Sequence, residues 1–316
     1  VRPPTGRSRR RTSAAAGSAA SRRAAPPRVA ISHPDKVFWP DEGYTKGALA
    51  EYYAAVFARL QPYVHDRLLT LERCPDGLRG QCFYQREAPK GLPRGTPTQP
   101  VRDKTGTTTY VVGGRLETQL ALVNLGCIPV HVWPSRRRAP HKPDWMCFDI
   151  DPTSGEFEDA ARAALLIKER LDELALRSFP KTSGSRGIHV FVPIRPGPDN
   201  AGVLAFAEAF CRILASAHPR ELTVEARVRA RRGRVYLDPF RNGFAQTVVA
   251  PYSVRRRPKA PISTPLDWSE VSPRLDPAQF NLGTYARRFA EPDPWKHIFR
   301  DQQSLGAVMR AVRGRL

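Results

Sequence analysis

The sequence is short of acidic side chains, of long apolar runs and of paired cysteines, and each shortage removes a class of protein. Its 316 residues hold 30 Asp and Glu against 51 Lys and Arg, a formal charge of +21. A field of that sign and size attracts polyanions, so nucleic acid or an anionic membrane is the expected partner. No run of eighteen or more apolar residues occurs, so no helix is expected to span a bilayer and no membrane partner is expected. The N-terminus is arginine-rich without an apolar centre, which argues against a secretory signal and leaves a presequence open on composition. The five cysteines, at 74, 82, 127, 147 and 211, are odd in number and contain no C-x-x-C pair. That pattern argues against a zinc ribbon or a disulfide framework and predicts reduced, buried thiols, with a metal shared by Cys74 and Cys82 as the lesser alternative.

The length suits one large domain or two small ones. Residues 1–27 carry seven arginines, no acid and few large apolar groups, and are expected to be a disordered tail. Those seven account for a third of the +21, so the remainder is itself basic at +14. The folded part is expected over 28–300, with 301–316 a short basic C-terminal segment. Leu49, Tyr52, Tyr53, Val56, Phe57 and Leu60 follow a helical period after Tyr44-Thr45-Lys46. Helices are also predicted over 116–125, 156–174 and 202–217. Strands are predicted at 68–71, 82–84, 107–112, 128–133, 187–192, 234–237 and 246–249, with others around Asp149 and before Lys181. The interleaving predicts an α+β fold rather than a doubly wound parallel sheet. The Pro- and Arg-rich stretch after Pro251 is expected to wrap the surface.

Phe148-Asp149-Ile150-Asp151-Pro152 places two carboxylates two residues apart in an apolar, strand-like run. Strand side chains alternate, so Asp149 and Asp151 are expected on one face, where two like charges call for a cation between them. A divalent metal suits such oxygen ligands, and Asp238, after the apolar Val235-Tyr236-Leu237, supplies a third. Taken alone, the motif also reads as a strand end whose aspartate caps the next helix. The run Lys181-Thr-Ser183-Gly-Ser-Arg186-Gly-Ile-His189 sits between two strands, and beside an aspartate cluster its glycines suit a phosphate loop. On its own it reads better as an ordinary hairpin turn with exposed charges. Arg241 with Asn242 and Arg255 or Arg257 offer guanidinium forks for a triphosphate. Lys36, Lys46 and His33 gather basic groups near a helix N-terminus, an anion-binding position. Phe83 and Tyr84 are adjacent, so one is expected to face the core and the other solvent, where it can stack on a base.

These motifs together resemble the polymerase domain of bacterial ligase D, of the archaeo-eukaryotic primase superfamily. The resemblance rests on Asp149-Ile-Asp151, Ser183-Gly-Ser-Arg-Gly-Ile-His189, Tyr236-Leu-Asp238, Arg241-Asn242 and Ala250-Pro-Tyr-Ser253. Ile31-Ser-His-Pro-Asp-Lys36-Val-Phe-Trp-Pro40 and Tyr44-Thr-Lys46 extend it, so that it runs from about Val29 to Trp295. It implies a primase-polymerase fold of largely antiparallel sheets flanked by helices. It implies Asp149, Asp151 and Asp238 as catalytic ligands of two divalent ions, Mn²⁺ or Mg²⁺. Ser183, Arg186, His189, Arg241, Arg255 and His131 would bind the incoming nucleoside triphosphate. Lys36, Lys46 and His33 would hold the 5′-phosphate of a gapped or broken DNA end, and Phe83 and Tyr84 would stack on template bases. The implied activity is templated gap filling or end extension in non-homologous end joining, with ribonucleotide preference a family trait. A stand-alone excision-repair polymerase, a primase and an idle end-binding protein are the alternatives. An end-binding protein and a ligase acting in trans are the implied partners, and a bacterial, cytoplasmic, nucleoid-associated location the implied setting. Two departures stand out. Arg186 replaces the common lysine, and Pro239-Phe240 replaces a frequent Tyr-Leu.

Overall fold

The computed structural model describes residue 1 and residues 29–104 and 106–311. Apart from Val1, the tail expected over 1–27 lies outside the described residues, as do the last five residues of the segment expected over 301–316. Two short strands, β1 (Val37–Trp39) and β2 (Tyr44–Thr45), form a ribbon ahead of α1 (Lys46–Val64). Then come β3 (Arg67–Arg73), β4 (Phe83–Gln85), β5 (Thr98–Asp103), β6 (Gly106–Val112), α2 (Leu116–Asn124), β7 (Cys127–Arg136) and β8 (Trp145–Asp151). The second half runs α3 (Phe157–Glu173), β9 (Phe179–Thr182), β10 (Ile188–Pro193), α4 (Asn200–Ala217) and β11 (Leu222–Thr223). It continues with the single turn α5 (Val228–Arg231), β12 (Val235–Asp238), β13 (Val248–Val249), α6 (Tyr285–Ala290) and α7 (Leu305–Ala311).

The remaining strands form two sheets, packed with helices in an α+β fold. One has the order β11-β12-β8-β10-β9, antiparallel except for β11 beside β12. The other has the order β13-β7-β3-β6-β5, with β4 sharing the β6 edge of β3 further along. Alternation along β8 decides where the chemistry sits. Met146, Phe148 and Ile150 join a core with α3 and α4. Trp145 and Cys147 point the other way and join the core built by α1, α2, β3 and β7. Asp149 and Asp151 continue this second set, so they emerge in the crevice facing the other sheet.

Local chemistry explains the elements that frame this crevice. Thr45 caps α1 by accepting from Ala48 N–H at 3.1 Å, and Asp199 caps α4 by accepting from Gly202 N–H at 2.8 Å. Acidic Glu158 and Asp159 begin α3 and Arg170 lies in its last turn, matching the helix dipole. Among the described residues, α4 is the one helix long and apolar enough to cross a membrane by composition. Here its Val203, Phe206, Phe210 and Leu214 are buried against the sheet.

Three expectations need correcting. Cys74 and Cys82 are bonded to each other, while Cys127, Cys147 and Cys211 are free and buried. The pairing follows from the β3–β4 hairpin: Arg73 lies opposite Phe83, so the next residue of one strand and the preceding residue of the other are neighbours. The segment after Pro251 does not simply wrap the surface, because Tyr252, Ser253, Val254, Ala260, Ile262, Ser263 and Leu266 are buried. Its residues 262–264 lie along β9, with Thr182 N–H donating to Thr264 O at 2.9 Å. Phe83 and Tyr84 are both exposed, at 41% and 62%, because β4 is a three-residue strand at a sheet edge.

Candidate active site

The antiparallel register of the first sheet aligns four polar residues on one line across four strands. Lys181 on β9 lies opposite His189 on β10, His189 opposite Asp149 on β8, and Asp149 opposite Asp238 on β12. The contacts run along that line. Lys181 Nζ is 2.8 Å from His189 Nδ1, and His189 Nε2 is 3.2 Å from Asp149 Oδ1. Arg241 closes the far end, with Nε 3.1 Å from Asp149 Oδ2 and 3.3 Å from Asp238 Oδ2.

Arg241 is aimed by the turn that Pro239 starts. Phe240 N–H donates to Asp238 Oδ1 at 2.8 Å, and Asn242 is stitched to the Cys147 backbone by two 2.8 Å hydrogen bonds, one to N–H and one to C=O. The Pro239-Phe240 departure therefore leaves the turn well fixed. Asp151, further along β8, faces outward and pairs with Arg231 NH1 of α5 at 2.8 Å.

Electrostatics differ sharply along the row. Burial alone would raise the Asp149 carboxyl, but His189 and Arg241 outweigh it and hold it well below the usual carboxylate range. Asp238 moves the other way: burial and the Asp149 charge raise it against the pull of Arg241. His189 is pushed down to about 4, by burial first and then by Lys181, against Asp149. Lys181 itself is lowered to about 7, chiefly by burial. Between those two values His189 is thus an uncharged imidazole between an ammonium and a carboxylate.

The loop between β9 and β10 needs its glycines for contact as well as for turning. Gly184 has φ +69°, and a Cβ there would come within 2.5 Å of Arg255 Cγ and 3.0 Å of Ser263 N. A Cβ on Gly187 would fall 2.2 Å from Ile150 O, in the neighbouring strand. Ser183 Oγ accepts from Ser185 N–H and Gly187 N–H at 3.2 and 3.1 Å, which fixes the turn. Arg255 NH1 donates to Ser183 O at 3.2 Å. Its neighbour Arg256 is drawn off to Glu72 at 2.6 Å, leaving Arg255 and Arg257 on the crevice.

A cavity of about 590 Å³ opens here. It gathers Asp149, Asp151, Asp238, Ser183, Arg186, His189, Arg241, Arg255, His131 and Tyr84, ten of the residues singled out in the sequence. His131 stacks under Tyr84 with ring centres 5.7 Å apart, and burial, Arg255 and Arg241 push it down to about 3. Phe83, beside Tyr84, is not part of the cavity wall; Arg73 lies over its ring at 5.5 Å.

His33, Lys36 and Lys46 also lie outside the cavity wall and form a separate group. Lys46 Nζ donates to Ser32 O at 2.8 Å, Lys36 pairs with Asp76 at 2.6 Å, and burial and the Lys36 charge lower the Lys46 pKa. His33 is exposed, in a left-handed conformation with φ 50°, and its carbonyl accepts from Lys36 N–H at 3.1 Å.

Sequence reasoning gave no role to Lys181, Arg231 or Tyr236. Arg231 belongs to the run Arg227-Val-Arg-Ala-Arg-Arg-Gly-Arg234, in which no arginine differs from its neighbours until the fold sets one against Asp151. Lys181 stood inside a motif already quoted, and only its burial distinguishes it.

Asp149 and Asp238 converge on a shared cationic group, so this hard-oxygen pair fits a divalent ion once Arg241 gives way. Asp151 is turned to Arg231, and among the described residues no three His, Cys, Asp or Glu side chains already form a ligand cluster. The third carboxylate would join on release from Arg231.

A carboxylate pair beside a glycine loop and several arginines, on antiparallel strands of an α+β fold, suits cation-assisted chemistry on a phosphorylated substrate, and the family match identifies the class as a nucleotidyltransferase of the polymerase type. The model of the LigD primase-polymerase domain matches residues 45–295, and the chain belongs to that family, whose members generally use divalent metals. Among relatives, the chain is 33% identical over 294 residues to the multifunctional non-homologous end joining protein LigD of Pseudomonas aeruginosa. That match covers 91% of this chain and 35% of the relative. The bifunctional LigD of Bacillus subtilis is 28% identical over 292 residues, covering 91% of this chain and 47% of the relative. The chain thus spans between a third and a half of these relatives. Among solved structures, the polymerase domain of Mycobacterium tuberculosis ligase D in complex with DNA matches with a TM-score of 0.80 at 26% identity. That match covers 88% of this chain and all of that one.

Proposed function

We propose that this chain extends DNA ends and fills gaps by templated nucleotidyl transfer in the repair of broken DNA, most directly in end joining. The observation that carries this reading is the Asp149–Asp238 pair, set across β8 and β12 with Arg241 between its carboxylates on the wall of an arginine-lined cavity. A polyanion binder gains nothing from acidic groups at the centre of its basic surface, whereas a cation-assisted transferase requires them.

In this reading Asp149, Asp151 and Asp238 hold two divalent ions, Mn²⁺ or Mg²⁺. Bound there, such ions lower the pKa of a primer 3′-hydroxyl and neutralise charge on the triphosphate and the departing pyrophosphate. Arg255, Arg257 and Arg186 bring guanidinium forks to the triphosphate. Arg241, freed from the carboxylates, becomes available to the same phosphates. His189 supplies a neutral N–H donor, and His131 supports the ring of Tyr84, on which a base stacks. Phe83 offers a second exposed ring on the same strand. The basic group at Lys36, Lys46 and His33 receives the downstream 5′-phosphate. A DNA ligase and an end-binding protein complete the reaction in trans, in the bacterial cytoplasm on the chromosome. Ribonucleotide preference is part of the proposal.

Primer extension on a one-nucleotide gap tests it. With Mn²⁺ or Mg²⁺, templated incorporation is expected, weaker when the 5′-phosphate is removed, and Asp149→Ala lowers it about a thousandfold while leaving DNA binding intact. Unchanged incorporation in Asp149→Ala would overturn the assignment of the carboxylates. Absence of incorporation by the wild type with any nucleotide would leave an end-binding protein.

A further inference from the structure

Lys181 is fully buried, and its polar contacts are His189 and a serine. Its ammonium meets His189 Nδ1 at 2.8 Å and Ser263 Oγ at 2.5 Å, and lies 5.7 Å from the centre of the Phe191 ring. Burying an ammonium away from water is expensive, and its nearest acid, Asp149, lies beyond the histidine ring. A purely architectural explanation would have the lysine tie β9 to residues 262–264. That seam does not need it. Ser263 Oγ donates onward to Thr182 O at 2.8 Å, Thr264 N–H donates to Thr182 Oγ1 at 2.9 Å, and Thr182 Oγ1 donates to Ile262 O at 3.1 Å.

What Lys181 does fix is the direction of hydrogen bonding. A lysine ammonium only donates, so whenever Lys181 is protonated His189 Nδ1 must accept. The uncharged ring then carries its proton on Nε2, the nitrogen 3.2 Å from Asp149 Oδ1. While Asp149 faces the ring, carboxylate and lysine specify the same tautomer. When Asp149 turns to a cation, only the lysine still does so.

We infer that Lys181 is a positioning residue that locks His189 as an Nε2–H donor, keeping that N–H for a triphosphate oxygen once Asp149 has turned away. The identity of that oxygen rests on the polymerase reading above; the lock itself is a property of the chain. Ring tautomers are fixed by the partner of the other nitrogen in the same way at many functional histidines.

The lock can be read directly from histidine ¹⁵N shifts, with His189 assigned by its loss in His189→Gln and spectra taken near pH 5.5, below the Lys181 value of about 7 and above the His189 value of about 4. Asp149→Ala removes the competing partner. In that variant His189 is expected to keep one fixed tautomer, Nε2 protonated and Nδ1 bare. In Asp149→Ala/Lys181→Met the two nitrogens are expected to move to averaged shifts. An averaged or Nδ1-protonated ring in Asp149→Ala overturns the inference, as does a pure Nε2–H ring in the double variant. Should the double variant not fold, the single variant decides, because only a fixed Nε2–H ring sustains the lock.

Kinetics give an independent readout. Lys181→Met is expected to raise the nucleotide KM roughly tenfold with a smaller effect on kcat, the scale of one charge-assisted hydrogen bond, and Lys181→Arg to recover part of it. A loss confined to kcat, with no recovery by arginine, counts against a donor lock. If the wild type incorporates no nucleotide, the polymerase reading fails while the tautomer result still stands or falls by the spectra.

Discussion

His131 lies beneath Tyr84, and burial together with Arg255, Arg241, Lys181 and His189 pushes its pKa from 6.5 down to about 3. The folded state therefore keeps the ring neutral, while the unfolded chain takes up a proton as the pH drops below 6.5. Stability from this residue is fully present above that value and is lost as pH falls toward 3, by up to ~1.4 kcal/mol per pH unit. Denaturant unfolding at successive pH values from 7 to 4.5 is expected to show a slope to which His131 and His189 both contribute, and His131→Gln to reduce it. An unchanged slope in the variant would remove His131 as a contributor. At this scale the sequence was legible wherever a residue's chemistry is local. Asp149 and Asp151 share a face because strands alternate, and no tertiary knowledge is needed to say so. Lys181 and Arg231 were not legible, because each acquires its meaning from a partner on another strand or helix.

The β3–β4 hairpin is an element whose logic lies in pairing. Its disulfide closes the loop 75–81, which bears Asp76, the partner of Lys36, and it sits one residue before the exposed pair Phe83 and Tyr84. Cys74→Ser/Cys82→Ser is expected to cost on the order of 2 kcal/mol, the value for closing so short a loop. A reducing agent should lower the melting temperature of the wild type and not that of the double variant; equal shifts in both would argue against the bond. The cysteine spacing could not reveal this, since C-x₇-C acquires meaning only when the strands on either side pair. Helices were easier to read. The expected span 156–174 became Phe157–Glu173 because amphipathic periodicity is carried within one element. The stretch after Pro251 misled for the opposite reason. Its arginines and prolines advertise a surface, while its buried Ser253, Ala260 and Ser263 are small enough to thread between the sheets.

For the whole molecule, the basic balance is a binding argument. If Lys36, Lys46 and the arginines around the crevice contact phosphates as proposed, DNA affinity should fall steeply with salt, by roughly 0.9 in log–log slope per contact. Titration by fluorescence anisotropy between low and moderate salt measures the slope. A flat response would exclude these groups as phosphate ligands, and Lys36→Ala/Lys46→Ala should shallow the slope by roughly two. The α+β class was legible from the interleaving of strand and helix patterns, whereas the order of strands within each sheet was not, because pairing between distant segments leaves no local trace. That order sets one further condition on the molecule. The line Lys181–His189–Asp149–Asp238 runs across the strands, so each of four separately folded segments must arrive at the right residue. A slip of one position in β8 would turn Asp149 and Asp151 into the apolar layer under α3 and α4 and bring Phe148 and Ile150 into the crevice. Misaligned chains would therefore be unstable as well as inactive, and the folding reaction proofreads the site before any substrate meets it.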